Sequence, residues 1–261
     1  MTWIKICGNT NAEDAQAAVQ AGANALGFVF YDKSKRFVSV DTVKSIVAEL
    51  PLKVEKIGVF VNETVEGIQK IVSETGLTAV QLHGDEDAEF SRALFRALSK
   101  DLRRPIIFRT CAAHIFDKPA DQSVGWDPVT SGLVEPDEAY KGKRVQKIHV
   151  AQNGDLFLET HGFRPGIITG VLLDSSNSNQ RGGTGQAFDW ERVQPWAGII
   201  NSISKLIVAG GLHAGNVQEA IHILHPWGVD VSTGVESAPG KKDRNKIRAF
   251  VEAVRAADES D

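Results

Sequence analysis

The sequence predicts a single-domain α/β fold, a (β/α)8 (TIM) barrel spanning residues 1–261, and three observations lead to it. Short β-branched runs alternate with helical segments, and eight such runs can be counted. Residues able to do chemistry gather where those runs end, at Cys7, Asn62, His83, Arg109 and Asp174. The last two runs are each followed by a glycine-rich turn. An open doubly wound sheet shares the alternation. The count of eight and the polar residues at the strand ends favour closure, because barrel enzymes build their sites on that face.

The elements follow in order. Trp3 to Cys7 is β-branched at Ile4 and Ile6 and stops at Gly8, which reads as a strand. Alternation puts Ile4 and Ile6 on one face and Trp3, Lys5 and Cys7 on the other. An ammonium and a thiol thus sit where a strand covered on both sides should be apolar. Asn9-Thr10-Asn11 can cap a helix over Ala12 to Ala21, ended by Gly22. Leu26 to Phe30 is the second strand, and Val40 to Leu50 a helix stopped by Pro51. Ile57 to Asn62 with the helix Val65 to Ser73, and Ala79 to Gly84 with the helix Ala88 to Leu98, repeat the unit. Ile106 to Arg109 is the fifth strand.

The rhythm then breaks. Residues 112–168 hold Pro, Gly and Asp clusters without a helical period, and read as an insertion in the fifth unit. Within it, Val145 to Val150 and Leu156 to Glu159 flank Asn153-Gly154, a hairpin-turn signal. A remnant of the fifth helix is placed near 129–140. Gly170 to Asp174 resumes as the sixth strand, followed by a polar, Gly-rich run from Ser175 to Gly185. Phe188 to Ile200 reads as a helix weakened by Pro195, Lys205 to Ala209 as the seventh strand, and Asn216 to Leu224 as its helix. Gly228 to Thr233 is the eighth strand, Asp243 to Ala256 the last helix, and Asp258 to Asp261 a frayed acidic end.

A net charge of −4 leaves no basic excess, which argues against nucleic acid or an anionic membrane as partner. No apolar run reaches about 18 residues and no signal-peptide pattern opens the chain, so a cytoplasmic location is expected. In that compartment the two cysteines, Cys7 and Cys111, stay reduced. No HExxH, CxxC or His/Asp cluster suggests a metal.

Four groups of residues could carry chemistry. Gly210-Gly211, after the seventh strand, and Gly234, after the eighth, fit a phosphate cradle, with a short extra helix commonly contributing its N-terminus; tight turning alone would also use glycine. Cys7 is either an inert core thiol or a base. An unperturbed thiol is only ~3% thiolate at pH 7, so a base there needs a nearby cation. Lys5 supplies one, and Asp230 on the neighbouring eighth strand is its expected partner inside the barrel. Asp174 either caps a loop or acts as a general acid or base. Arg36 is either a solvated loop charge or a planar clamp for a substrate carboxylate. His83 is a satisfied core histidine or a substrate contact, and Cys111 is structural.

Lys5-Ile6-Cys7-Gly8, Gly27 to Phe30, Ser34-Lys35-Arg36, Gly58 to Asn62 and Val80 to Gly84 occur in order. Leu172 to Ser175, Gly182 to Gly185, Phe188-Asp189-Trp190 and Gly234 to Ser237 follow them. Together they resemble the phosphoribosylanthranilate isomerase family of tryptophan biosynthesis across nearly the whole chain outside the insertion. The resemblance implies a barrel that works as a monomer or homodimer, needs no cofactor or metal, and acts on a small phosphorylated substrate. It implies an Amadori rearrangement of N-(5-phosphoribosyl)anthranilate to 1-(2-carboxyphenylamino)-1-deoxyribulose 5-phosphate. In that reading Asp174 is the general acid, Cys7 the general base, Arg36 the holder of the anthranilate carboxylate, and Gly210, Gly211 and Gly234 the phosphate cradle. The chain departs from the pattern in its long fifth unit and in Thr233, where the family has serine. Two rivals remain: the histidine-pathway aminoaldose isomerase, which resembles a duplicated half-barrel with a carboxylate base on its first strand, and a barrel that binds phosphorylated metabolites without catalysis.

Overall fold

Eight parallel strands close on themselves in the computed structural model, which describes residues 1–100, 102, 105–113, 134–136, 148–150, 156–158, 163–165, 167–175 and 187–260. The barrel strands are β1 (Trp3–Ile6), β2 (Ala25–Val29), β3 (Glu55–Phe60), β4 (Ala79–Leu82) and β5 (Ile106–Ala112). Between β5 and the next staves lie four short strands, β6 (Val134–Pro136), β7 (Ile148–Val150), β8 (Leu156–Leu158) and β9 (Phe163–Pro165). The barrel then continues with β10 (Gly170–Asp174), β11 (Lys205–Val208) and β12 (Gly228–Val231). Closure is made by β1 pairing with β12, with Lys5 level with Asp230 and Ile6 with Val231.

The helices α1 (Ala12–Ala21), α2 (Val40–Ala48), α3 (Val65–Thr75), α4 (Ala88–Leu98), α5 (Trp190–Ile203), α6 (Val217–Leu224) and α7 (Arg244–Ser260) surround the strands. The first five begin at residues whose side chains accept an orphan backbone N–H: Asn11, Ser39, Thr64, Asp87 and Asp189. Each helix turns an apolar stripe onto the outer face of the strands. Ile4, Ile6, Leu26, Phe28, Val171 and Leu173 all join that outer core.

Residues of opposite parity point inward. Ala25, Ile57, Ala79, Phe108, Leu172 and Ile207 fill the barrel, and Trp3 stacks on Trp227 at its N-terminal end with ring centroids 4.9 Å apart. Trp3, Trp227 and Phe108 plug that end. The C-terminal end stays open.

Five sequence expectations change. Strand β5 runs on to Ala112, so Arg109 is mid-strand; Phe108 joins the inner cluster and Cys111 the outer one, so the pleat puts Arg109 with Cys111, away from the mouth. The helix expected near 129–140 is contradicted at Val134–Pro136, which pairs antiparallel with Phe163–Pro165. Helix α5 continues through Pro195 to Ile203, since proline near its start removes a single ladder bond while Trp190, Val193 and Trp196 are buried. Only a single 3-10 turn, Thr233–Val235, stands where a short extra helix would add its N-terminus to the two glycine turns. The acidic end is not frayed: α7 reaches Ser260 because Asp258 accepts from the Thr2 N–H at 2.8 Å and its hydroxyl at 2.7 Å.

The expected hairpin is present in its strands. Ile148 pairs with Leu158 and Val150 with Leu156, while Asn153-Gly154 between them lies outside the described residues. Strand β8 lies beside α5. The run from 176 to 186, including Gly182 to Gly185, is likewise outside the described residues.

Candidate active site

At the open end the strand tips surround a cavity of ≈ 470 Å³. Its wall includes Cys7, Arg36, His83 and Asp174, together with Gly210, Gly211 and Gly234. Residues picked from six separate places in the sequence therefore face one space. Asn62 does not; its left-handed backbone (φ 52°) and amide brace the neighbouring turn, accepting from the Asp85 N–H at 2.7 Å.

Cys7 is fixed from several sides. Its N–H donates to Val231 O at 2.8 Å, and the N–H groups of Gly8 and Asn9 both donate to Gly27 O at 3.0 Å. The Asn9 amide adds a bond to Ile6 O at 2.8 Å. Gly27 is glycine for space: a Cβ there would stand 2.6 Å from Cys7 Sγ and 3.1 Å from Lys5 Cε. Below the thiol, Lys5 Nζ donates to Asp230 Oδ2 at 2.9 Å, the pair expected from sequence. Asp230 Oδ1 is buried without a partner among the described residues, and Asp230 lines the cavity. Burial pushes the Cys7 thiol up, against the pull of Lys5; Asp230 adds to the rise and Lys242 opposes it. Burial alone would lower Lys5, but Asp230 and then Cys7 hold it above its ordinary value, so it stays cationic.

Asp174 ends β10, level with Ala112, and shares the inward parity of Leu172. In the barrel order it stands three strands from β1. Cys7 and Asp174 thus face the cavity from different walls. His83 follows β4, with Nδ1 3.1 Å from both Gln81 Nε2 and Thr110 Oγ1. With Gln81 donating to Nδ1, the imidazole carries its proton on Nε2, which has no partner among the described residues. Burial lowers the His83 pKa, with Asp174 opposing, so the ring is neutral near pH 7.

Arg36 meets a partner that sequence reading did not assign. Its Nε and Nη2 donate to the two carboxylate oxygens of Glu236 at 3.1 and 2.6 Å, so Nη1 takes no part in that pair, and Arg36 lines the cavity. That bond raises Arg36 further, against burial. Glu236 also accepts from Lys242 Nζ at 3.1 Å, and Arg36 and Lys242 together outweigh burial and hold its carboxyl below the usual range. Lys242 in turn donates to the carbonyls of Cys7 at 2.5 Å and Ser232 at 3.2 Å. One buried carboxylate therefore joins the arginine, the thiol turn and the loop after β12.

The two glycine turns make one surface. Gly210 and Gly211 adopt left-handed φ values of 78° and 68°, open to glycine without strain. Gly234 lies so close to the Leu212 carbonyl that any Cβ would collide with it, so the loops after β11 and β12 touch there. Cys111 faces the outer core, and burial pushes its thiol up to about 11 although Arg109 opposes; it takes no part in the cavity.

A family model described as N-(5'phosphoribosyl)anthranilate (PRA) isomerase matches residues 4–110 and 134–253. The N-(5'-phosphoribosyl)anthranilate isomerase of Thermotoga neapolitana is 35% identical over 98% of this chain and 99% of its own. That of Chlorobaculum tepidum is 37% identical over 100% and 98%. Among solved structures, phosphoribosyl anthranilate isomerase from Thermotoga maritima superposes with a TM-score of 0.69 at 32% identity, covering 98% of this chain and all of the other. A phosphoribosyl anthranilate isomerase in complex with reduced 1-(o-carboxyphenylamino)-1-deoxyribulose 5-phosphate superposes at 0.66, with the same identity and coverage.

Proposed function

This chain belongs to the N-(5'-phosphoribosyl)anthranilate isomerase family, and from that premise we propose that Cys7 and Asp174 carry its reaction as a general base and a general acid. The enzyme is an aldose–ketose isomerase of tryptophan biosynthesis. It converts N-(5-phosphoribosyl)anthranilate to 1-(2-carboxyphenylamino)-1-deoxyribulose 5-phosphate. Asp174 protonates the ribose ring oxygen, and the ring opens to a Schiff base. The Cys7 thiolate removes the proton from C2, giving an enolamine that tautomerises to the ketone. No atom is gained or lost.

Arg36 holds the anthranilate carboxylate on the part of its fork that Glu236 does not occupy. The turns at Gly210, Gly211 and Gly234 hold the phosphate through backbone N–H groups, and neutral His83 donates to the substrate from Nε2. The enzyme works in the cytoplasm as a monomer or homodimer; the Thermotoga maritima relative is described as dimeric, and no described helix is long and apolar enough to cross a membrane.

The observation that supports these roles best is the shared cavity of Cys7, Asp174, Arg36 and the two glycine turns. A carboxylate base on the first strand, as the histidine-pathway rival requires, is absent, since Cys7 occupies that tip. Purified protein should consume phosphoribosylanthranilate, followed through its anthranilate fluorescence. No turnover would leave only the binding-barrel reading.

A further inference from the structure

Beneath the thiol lies a buried ion pair that the acid–base chemistry itself does not use. Lys5 is 1% exposed and Asp230 8%, and both point into the barrel one layer below Cys7. A buried ion pair is a poor source of stability, because desolvation offsets its attraction. Apolar residues fill other inward positions of the same interior, at Ile57, Leu172 and Ile207, so the barrel does not require charges in its core. The position of the pair is therefore informative.

Lys5 carries three N–H donors, and Asp230 Oδ2 takes one of them at 2.9 Å. Lys5 Cε and Cys7 Sγ both crowd the space above Gly27, so the ammonium stem rises along the thiol. Asp230 keeps Lys5 from swinging toward the cavity, yet it brings a negative charge near the sulfur. The other charged groups around Cys7 are Lys242 on the strand β14 (Lys241–Lys242), and Arg36 on the loop after β2, itself paired with Glu236. Asp174 and His83 face the same cavity from other walls.

We propose that Lys5 is a positioning residue for the reaction, supplying the counter-charge that lets Cys7 exist as a thiolate, with Asp230 holding Lys5 in place. This rests on the reading of Cys7 as the base. A thiolate formed in a buried site without a cation would face an uncompensated desolvation cost, and Asp230 alone would add repulsion. With Lys5 present, the three groups carry a single net negative charge when the thiol ionises. The two partners of the ion pair thus act on Cys7 with opposite sign.

That opposition supplies the test. The rate at which iodoacetamide alkylates Cys7 in the full chain, measured across pH by mass spectrometry of its peptide, reports the thiolate directly. Cys111, on the outer face of the sheet, is the internal control. Lys5→Met is expected to move the Cys7 ionisation up by about one unit or more, slowing alkylation at pH 7.5 roughly tenfold. Asp230→Asn, which leaves Lys5 with a neutral acceptor, is expected to move it down and speed alkylation. The acid limb of the kcat/KM profile should move the same way as the thiol in each variant.

A purely structural pair would give shifts of one sign or none, and either result overturns the proposal. If circular dichroism shows Lys5→Met unfolded, Asp230→Asn decides alone, and unchanged or slower alkylation defeats the idea. Full activity in Cys7→Ser would instead remove the base assignment while leaving the alkylation result standing.

Discussion

Cys7 and Asp174 approach one cavity from strands three apart, the placement the proposed base and acid need. Cys7→Ser and Asp174→Asn are each expected to lower kcat at least about a hundredfold, the usual loss when a general acid or base is removed, with anthranilate fluorescence as readout. Gly27→Ala should lower kcat about tenfold or more and destabilise the fold by about 1–3 kcal/mol, because the new Cβ meets the Cys7 sulfur at 2.6 Å. Parallel kcat and thermal-melt measurements check it; a fully active Ala variant would mean the sulfur can move aside. At this scale Cys7, Asp174 and the glycine turns are readable from sequence as cavity residues, since each stands at the tip of an apolar run, and Arg36 stands in the basic loop after the second strand. Glu236, Lys242 and Gly27 are not. Arg36 and Glu236 are 200 residues apart, and only strand closure brings them within hydrogen-bond reach. Glu236 does stand two residues after Gly234 in a recognisable motif, which is the one signal that points to it.

Among the elements, β1 and α7 are tied at their far ends. Burial opposes ionisation of Asp258, but the Thr2 hydroxyl and N–H, with Arg255, outweigh it and hold the carboxyl below its ordinary value. A depressed carboxyl adds stability above its unfolded value of about 3.9, and that stability is lost as pH falls through the folded value. Asp258→Asn is therefore expected to lower Tm by about 2–4 °C at pH 7, after discounting for solvent. The gap should close as pH drops below about 4; a gap that persists there would mean the carboxylate charge is not what matters. Most elements are legible from periodicity, and the cap expected at Asn9-Thr10-Asn11 falls on Asn11. The end of α7 is not, because its order comes from Thr2 at the opposite end of the chain. The stretch near 129–140 misleads for a related reason: pairing between Val134–Pro136 and Phe163–Pro165 is a long-range contact that local pattern does not carry.

The barrel as a whole is legible in the count of eight strands and the residues at their tips. Among the described residues β8 stands beside α5, outside the eight staves, so the fifth unit is long without breaking the closed barrel. The molecule carries a net charge of −4, yet its substrate brings a carboxylate and a phosphate, so the global field repels what the cavity must capture. Lys33, Lys35 and Arg36 lie together on the cavity wall, and the Arg36–Glu236–Lys242 cluster behind them keeps one positive charge in surplus. Diffusing anions thus meet an attractive funnel within a repulsive exterior, with a range of about 10 Å at 0.1 M salt. Raising ionic strength from about 0.05 to 0.5 M should lower kcat/KM several-fold while leaving kcat nearly unchanged. An equal fall in both would place the effect in the chemistry instead of the encounter.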